Sequence, residues 1–147
     1  MTLTPNNLWL IFAMLAQGIL ALGLLWHLGM HRIPMVLQGK VRIEDIALDK
    51  EAWPDRARQA SNAFDNQFQL PVLLYVACLI AIAFGASLFE VVLAALFVVS
   101  RYAHAAIHIT SNHVVRRFQA YTLGVVVLCI LWVNLLVRLV HIASGAS

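Results

Sequence analysis

Charge is what this sequence has least of. Lys, Arg, Asp and Glu together make 12% of its 147 residues, against roughly 25% in an ordinary soluble domain. Apolar residues fill the gap, at 62% of the chain with a mean hydropathy of +0.83. That balance excludes an ordinary soluble domain, and the long apolar runs read as bilayer spans. Cysteine is scarce too. Cys78 and Cys129 both fall inside apolar runs, where they read as small buried side chains and not as a disulfide framework. The first run follows no basic segment, and no small-residue cleavage site stands out after it. It reads as a retained span, not a signal peptide. A net charge of +3 is too modest to suggest nucleic acid. Acid is confined as well: outside the first loop and its junction with the second span, only Glu90 carries a carboxylate.

What is present is four apolar stretches, at about residues 8–27, 58–84, 88–110 and 118–141. Each is long enough to cross a hydrocarbon core of roughly 30 Å at about 1.5 Å per residue. The expected fold is therefore all-α, a four-helix integral membrane bundle with residues 1–147 as one unit. Trp9 and Trp26 sit near the ends of the first span, as interfacial aromatics do. Pro71 predicts a kink in the second span, and Gly85–Ser87 a tight turn before the third. Basic residues gather in the segments 32–57 and 111–117, while the N-terminal segment and the Gly85–Ser87 turn have none. The positive-inside rule then puts both basic loops in the cytoplasm and both termini outside, with Arg138 and His141 snorkelling to the outer interface.

The polar residues within the spans narrow the function. Arg58, Asn62 and Asp65 are spaced to share one helical face at the start of the second span, and Asn66, Gln67 and Gln69 follow. Arg101, His104 and His108 share a face of the third span. By helical rise Arg101 lies about 16 Å deep and Asp65 about 10 Å, within reach of an arginine side chain. An Arg101–Asp65 ion pair is expected, because an unpaired intramembrane arginine costs at least about 2.5–3.5 kcal/mol. Such a pair could merely lock two helices, or the same face could line a polar cavity. Arg58, Asn62, Arg117 and Tyr121 add to the second reading. Excess cationic charge suits an anionic ligand with many hydrogen-bonding groups, and buried arginines favour a bound thiolate over a thiol.

At these residues the sequence resembles MAPEG, the membrane-associated proteins in eicosanoid and glutathione metabolism. Arg58, Asn62 and Asp65 fit the family's spacing at the start of the second span, with Asp in place of the usual Glu. Arg101, His104, Arg117 and Tyr121 match the prostaglandin synthase branch in an ungapped register. The resemblance implies a homotrimer of four-helix subunits, with glutathione as co-substrate between neighbours near the cytoplasmic face and a lipophilic second substrate from the bilayer. It assigns glutathione to Arg32, Arg58, Asn62, Asp65, His104 and His108, and thiolate stabilisation to Arg117 with Tyr121. The implied activity is that of a transferase or peroxidase acting on lipophilic electrophiles or lipid hydroperoxides. The chain also departs from the pattern: His108 replaces a tyrosine, Phe118 a serine implicated in thiol activation, and Ser61 an arginine. Those departures keep open a non-catalytic subunit with the family's fold. The His27/His31 and His104/His108 pairs raise a b-type haem protein as a further reading. No metal is expected, because His104-x-x-x-His108 has no general-base Glu between its histidines.

Overall fold

A computed structural model of the chain describes residues 4–47 and 49–145. They fold into helices α1 (Pro5–Leu37), α2 (Ile43–Ile46), α3 (Asp55–Asp65), α4 (Leu70–Ala83), α5 (Leu88–Ile109) and α6 (Val114–Ala143), with 3₁₀ turns at Lys50–Ala52 and Asn66–Phe68. Four stretches are long and apolar enough to cross a membrane: α1, α3 with α4, α5, and α6. The protein is an integral, multi-pass membrane helical bundle.

Local chemistry sets the helix ends, and it moves several of them from the positions hydropathy predicts. Helix α1 begins where the Thr4 hydroxyl accepts from the Asn7 amide at 3.3 Å, with Pro5 in the first turn. It runs on to Leu37, well past the expected end near His27, so Arg32 lies on α1 and not in a loop. At its far end α6 starts at Val114, where the His113 ring accepts from the Arg116 amide at 3.4 Å. Arg116 and Arg117 therefore belong to its first turns, and the connection from α5 shrinks to 110–113. The first polar loop likewise shrinks to 38–54.

The second span is two helices. Gln69 leaves helical geometry at φ −103° and ψ −103°, and Pro71 falls in the first turn of α4, where a missing amide costs nothing. The break needs internal partners, because lipid offers none. Gln67 supplies them: its Nε2 donates to the Ala63 carbonyl at 3.0 Å, and its Oε1 accepts from Gln17 Nε2 at 2.8 Å.

Helix α5 is central. Its Leu93, Ala94, Phe97 and Val98 pack with Leu74, Ala77 and Cys78 of α4 and Val127, Leu128 and Leu131 of α6. At Gly124 the α5–α6 approach leaves no room for a side chain, since a Cβ would sit 2.7 Å from Ser100 Oγ. One end of the bundle is closed by a polar clasp. Ser87 and Glu90 form a capping box on α5, and the fully buried Glu90 carboxylate also accepts from Asn134 and Arg138. Arg138 donates to the Gly85 carbonyl as well, at 2.9 Å. These two bonds hold Arg138 at the Gly85–Ser87 end of the bundle. Asn7 Oδ1 accepts from the Ala86 amide at 3.1 Å and joins the start of α1 to the same end. The start of α3, the end of α5 and the start of α6 meet at the opposite end.

Candidate functional site

At that opposite end a chamber of about 660 Å³ opens between the helices. Helix α1 contributes Arg32; α3 contributes Arg58, Ser61 and Asn62; α5 contributes His108; and Arg117 comes from α6. The small residues Ala57, Ala60 and Ala63 turn inward against the bundle, which lets α3 lie close to its neighbours. Arg32 donates to Ser61 Oγ at 3.1 Å, and its guanidinium lies 4.5 Å from the Trp53 ring centre, so the loop packs on the end of α1.

A second chamber of about 330 Å³ lies beside the first, lined by Asn62, Asn66, His104, His108, Arg117 and Tyr121 together with Val114 and Phe118. Both of those apolar side chains are strongly exposed, Phe118 at 66%, and they give this chamber a hydrophobic mouth. Among the described residues, only Asn62, His108 and Arg117 line both chambers.

The imidazoles sit on the buried face of α5, as the spacing predicts. His104 Nδ1 lies 3.1 Å from the Arg117 carbonyl, which can only accept, so this nitrogen carries the proton of the neutral ring. Its ring centre stands 5.7 Å from those of His108 and Tyr121. The His108 carbonyl accepts from Gln59 Nε2, and this bond ties α3 to the end of α5. Arg117 reaches Asn112 Oδ1 at 2.6 Å.

The expected Arg101–Asp65 pair does not form. Asp65 faces Lys50 at 3.4 Å with nearly half of its side chain exposed. The small residues of α3 occupy the inward face, Arg58 and Asn62 line the chambers, and Asp65, a turn further on, is left on the exposed side. Arg101 is fully buried and lies against rings instead, 5.2 Å from the centre of Tyr121 and 6.0 Å from that of Phe97. None of its guanidinium nitrogens has a hydrogen-bond partner among the described residues. Of the residues read from the sequence, Arg32, Arg58, Asn62, His104, His108, Arg117 and Tyr121 line one or both chambers, whereas Asp65 and Arg101 line neither.

Several lining residues had no sequence signal strong enough to find them. Gln59 is an ordinary polar residue within α3, and Asn112 one in the connection between α5 and α6. Lys50, Glu51 and Asp55 come from the loop side, where Glu51 and Asp55 both pair with Arg58. The Glu90–Arg138 pair could have been suspected from the Ser87-x-x-Glu90 box and the lone intramembrane acid.

No curated protein and no solved structure matches this chain. A family model does, described as the MAPEG family, over residues 10–137. That match takes in all four membrane-spanning stretches and both chambers, and this chain belongs to the MAPEG family.

Proposed function

We propose that the protein is a glutathione-dependent membrane transferase or peroxidase. It joins the glutathione thiolate to small lipophilic electrophiles, or uses glutathione to reduce lipid hydroperoxides. The observation that carries this reading is the wall shared by the two chambers. One side is cationic, with Arg32, Arg58 and Arg117, and fits the carboxylates of a small acidic peptide. The other side opens past Val114 and Phe118 and fits a substrate dissolved in lipid. The two substrates would meet at Asn62, His108 and Arg117, which is the proximity a conjugation needs. Arg58 and Arg32 bind carboxylates, Asn62 and Asp65 orient the peptide, and Arg117 with Tyr121 stabilises the thiolate. Family membership supports glutathione as the peptide. The basic loops support a cytoplasmic position for this end of the bundle, where glutathione is, with the termini outside. The exposed Asp65, which lines neither chamber of its own chain, supports a homotrimer in which a neighbouring chain would cover it.

One observation favours a second reading. Arg58 already pairs with Glu51 and Asp55, and Asp65 with Lys50. Those charges are matched without a ligand, as they would be in a non-catalytic subunit. Calorimetric titration of glutathione into detergent-purified protein separates the two, alongside turnover of an aromatic halide and a lipid hydroperoxide. Binding with turnover is expected. Glutathione binding without turnover of either substrate would leave the non-catalytic subunit standing, and no binding would remove glutathione from both readings.

A further inference from the structure

The scheme above leaves the thiol proton without a destination. The acceptor must touch the peptide in the first chamber and stand where the second substrate arrives. Three side chains line both chambers. The amide of Asn62 is no base, and the guanidinium of Arg117 keeps its proton. His108 is the remaining one, and imidazole is the side chain whose ordinary titration lies nearest neutrality.

Its setting fits proton transfer better than packing. His108 is only 3% exposed, so the ring is held in place by the surrounding helices. Its Nδ1 is buried with no hydrogen-bond partner among the described residues. A buried polar atom left unpartnered costs stability and calls for an explanation. The Gln59 bond to its carbonyl fixes the backbone beneath the ring. His104 is a weaker candidate, since it lines only the second chamber and has one nitrogen engaged by the Arg117 carbonyl.

We propose that His108 is the proton acceptor for the bound thiol, an inference that rests on the glutathione reading above. The S–H bond breaks, the proton bonds to the imidazole nitrogen facing the chambers, and the electron pair stays on sulfur beside Arg117. The thiolate then forms the C–S bond. With an aromatic halide, the halide leaves with its bonding pair and the imidazolium returns its proton to water. The groups that share His108's surroundings are Arg117 and Tyr121 of α6, Arg58 and Asp55 of α3, Arg32 of α1, Lys50 and Glu51 of the loop, and His104 on its own helix. The branch that the motifs resemble has tyrosine at this position, so the role would not be carried over from that branch.

The test is single-turnover conjugation of an aromatic halide, with bound-thiolate absorbance followed against pH, in wild type and His108→Asn. Measured at saturating glutathione, the thiol-activation step should slow by about 100-fold, in the range of general-base catalysis. The pH midpoint for thiolate formation should rise. In His108→Ala, added free imidazole should restore turnover, which a merely structural residue would not allow. His108→Gln, with the same readouts, serves if the smaller variants fail to fold. A folded variant that binds glutathione and keeps the wild-type rate and pH profile would overturn the proposal and leave the transferase reading intact. So would a slowed His108→Ala that free imidazole does not rescue. Failure of wild type itself to bind glutathione would remove the transferase reading, and this role with it.

Discussion

Arg101 lies fully buried against the rings of Tyr121 and Phe97, with no carboxylate paired to it among the described residues. Aromatic faces return about 0.5–2 kcal/mol to a cation, less than the several kcal/mol that desolvating one costs. Arg101→Met should therefore leave the unfolding free energy in mild detergent unchanged or raise it. Asp65→Ala should cost at most about 1 kcal/mol, as for an exposed pair. The double mutant should equal the sum within about 0.5 kcal/mol. A coupling of several kcal/mol between the two would restore the ion pair that sequence depth suggested. Glu90 is the opposite case. It is fully buried, and Asn134, Arg138 and the Ser87 amide all converge on it. Glu90→Ala leaves three donors without their acceptor and should destabilise by about 2–4 kcal/mol, less than a fully enclosed pair because Arg138 is 31% exposed. Thermal unfolding in detergent measures this. A loss under about 1 kcal/mol would show that water replaces the carboxylate.

Among the elements, the sequence was most legible where one signal coincided with another. The third span, read as 88–110, is α5 at Leu88–Ile109, because an apolar run and the Gly85–Ser87 turn agree on its start. The ends of α1 and α6 were misjudged because hydropathy registers lipid contact, whereas helices stop at caps, and Thr4 and His113 lie beyond the apolar runs. The α3–α4 break falls at Gln69, two residues before the proline whose kink the sequence predicted, whereas the bond from Gln17 to Gln67 that braces it spans fifty positions and no local pattern encodes it. The shared face of Arg58, Asn62 and Asp65 was legible, and Arg58 and Asn62 line the chambers, but the exposed position of Asp65 was not legible. That depended on the small residues of α3 taking the inward side. Gly124 is another element-scale constraint. A methyl group there would meet Ser100 Oγ at 2.7 Å, and Ser100 is held by its bond to the Phe97 carbonyl at 2.6 Å. Gly124→Ala should cost about 1–3 kcal/mol by overpacking. Adding Ser100→Ala should recover part of that loss. Unfolding in detergent would show it, and a neutral Gly124→Ala would mean that the α5–α6 contact yields freely.

For the whole molecule, the open question is what covers the face that one chain leaves outward. Asn62 and Asp65 are exposed on α3 beside the second chamber, and Asp65 lines neither chamber of its own chain. Polar groups at a membrane edge need partners that lipid does not offer, and another copy of the chain would supply them. In a ring of three, the outward face of one subunit meets a different surface of the next. Asp65 could then serve a neighbour's chamber while Arg117 serves its own. Native mass spectrometry from mild detergent should show three chains. Mixing two inactive variants, Asp65→Ala and Arg117→Ala, tests the sharing directly. If the site draws Asp65 from one chain and Arg117 from the next, random co-assembly restores both groups at about a quarter of the interfaces. Glutathione turnover should return to about that fraction of wild type, although neither variant turns over alone. A mixture that forms trimers and stays inactive would assign both residues to one chain. A stable monomer that binds glutathione as tightly as wild type would exclude the shared site altogether.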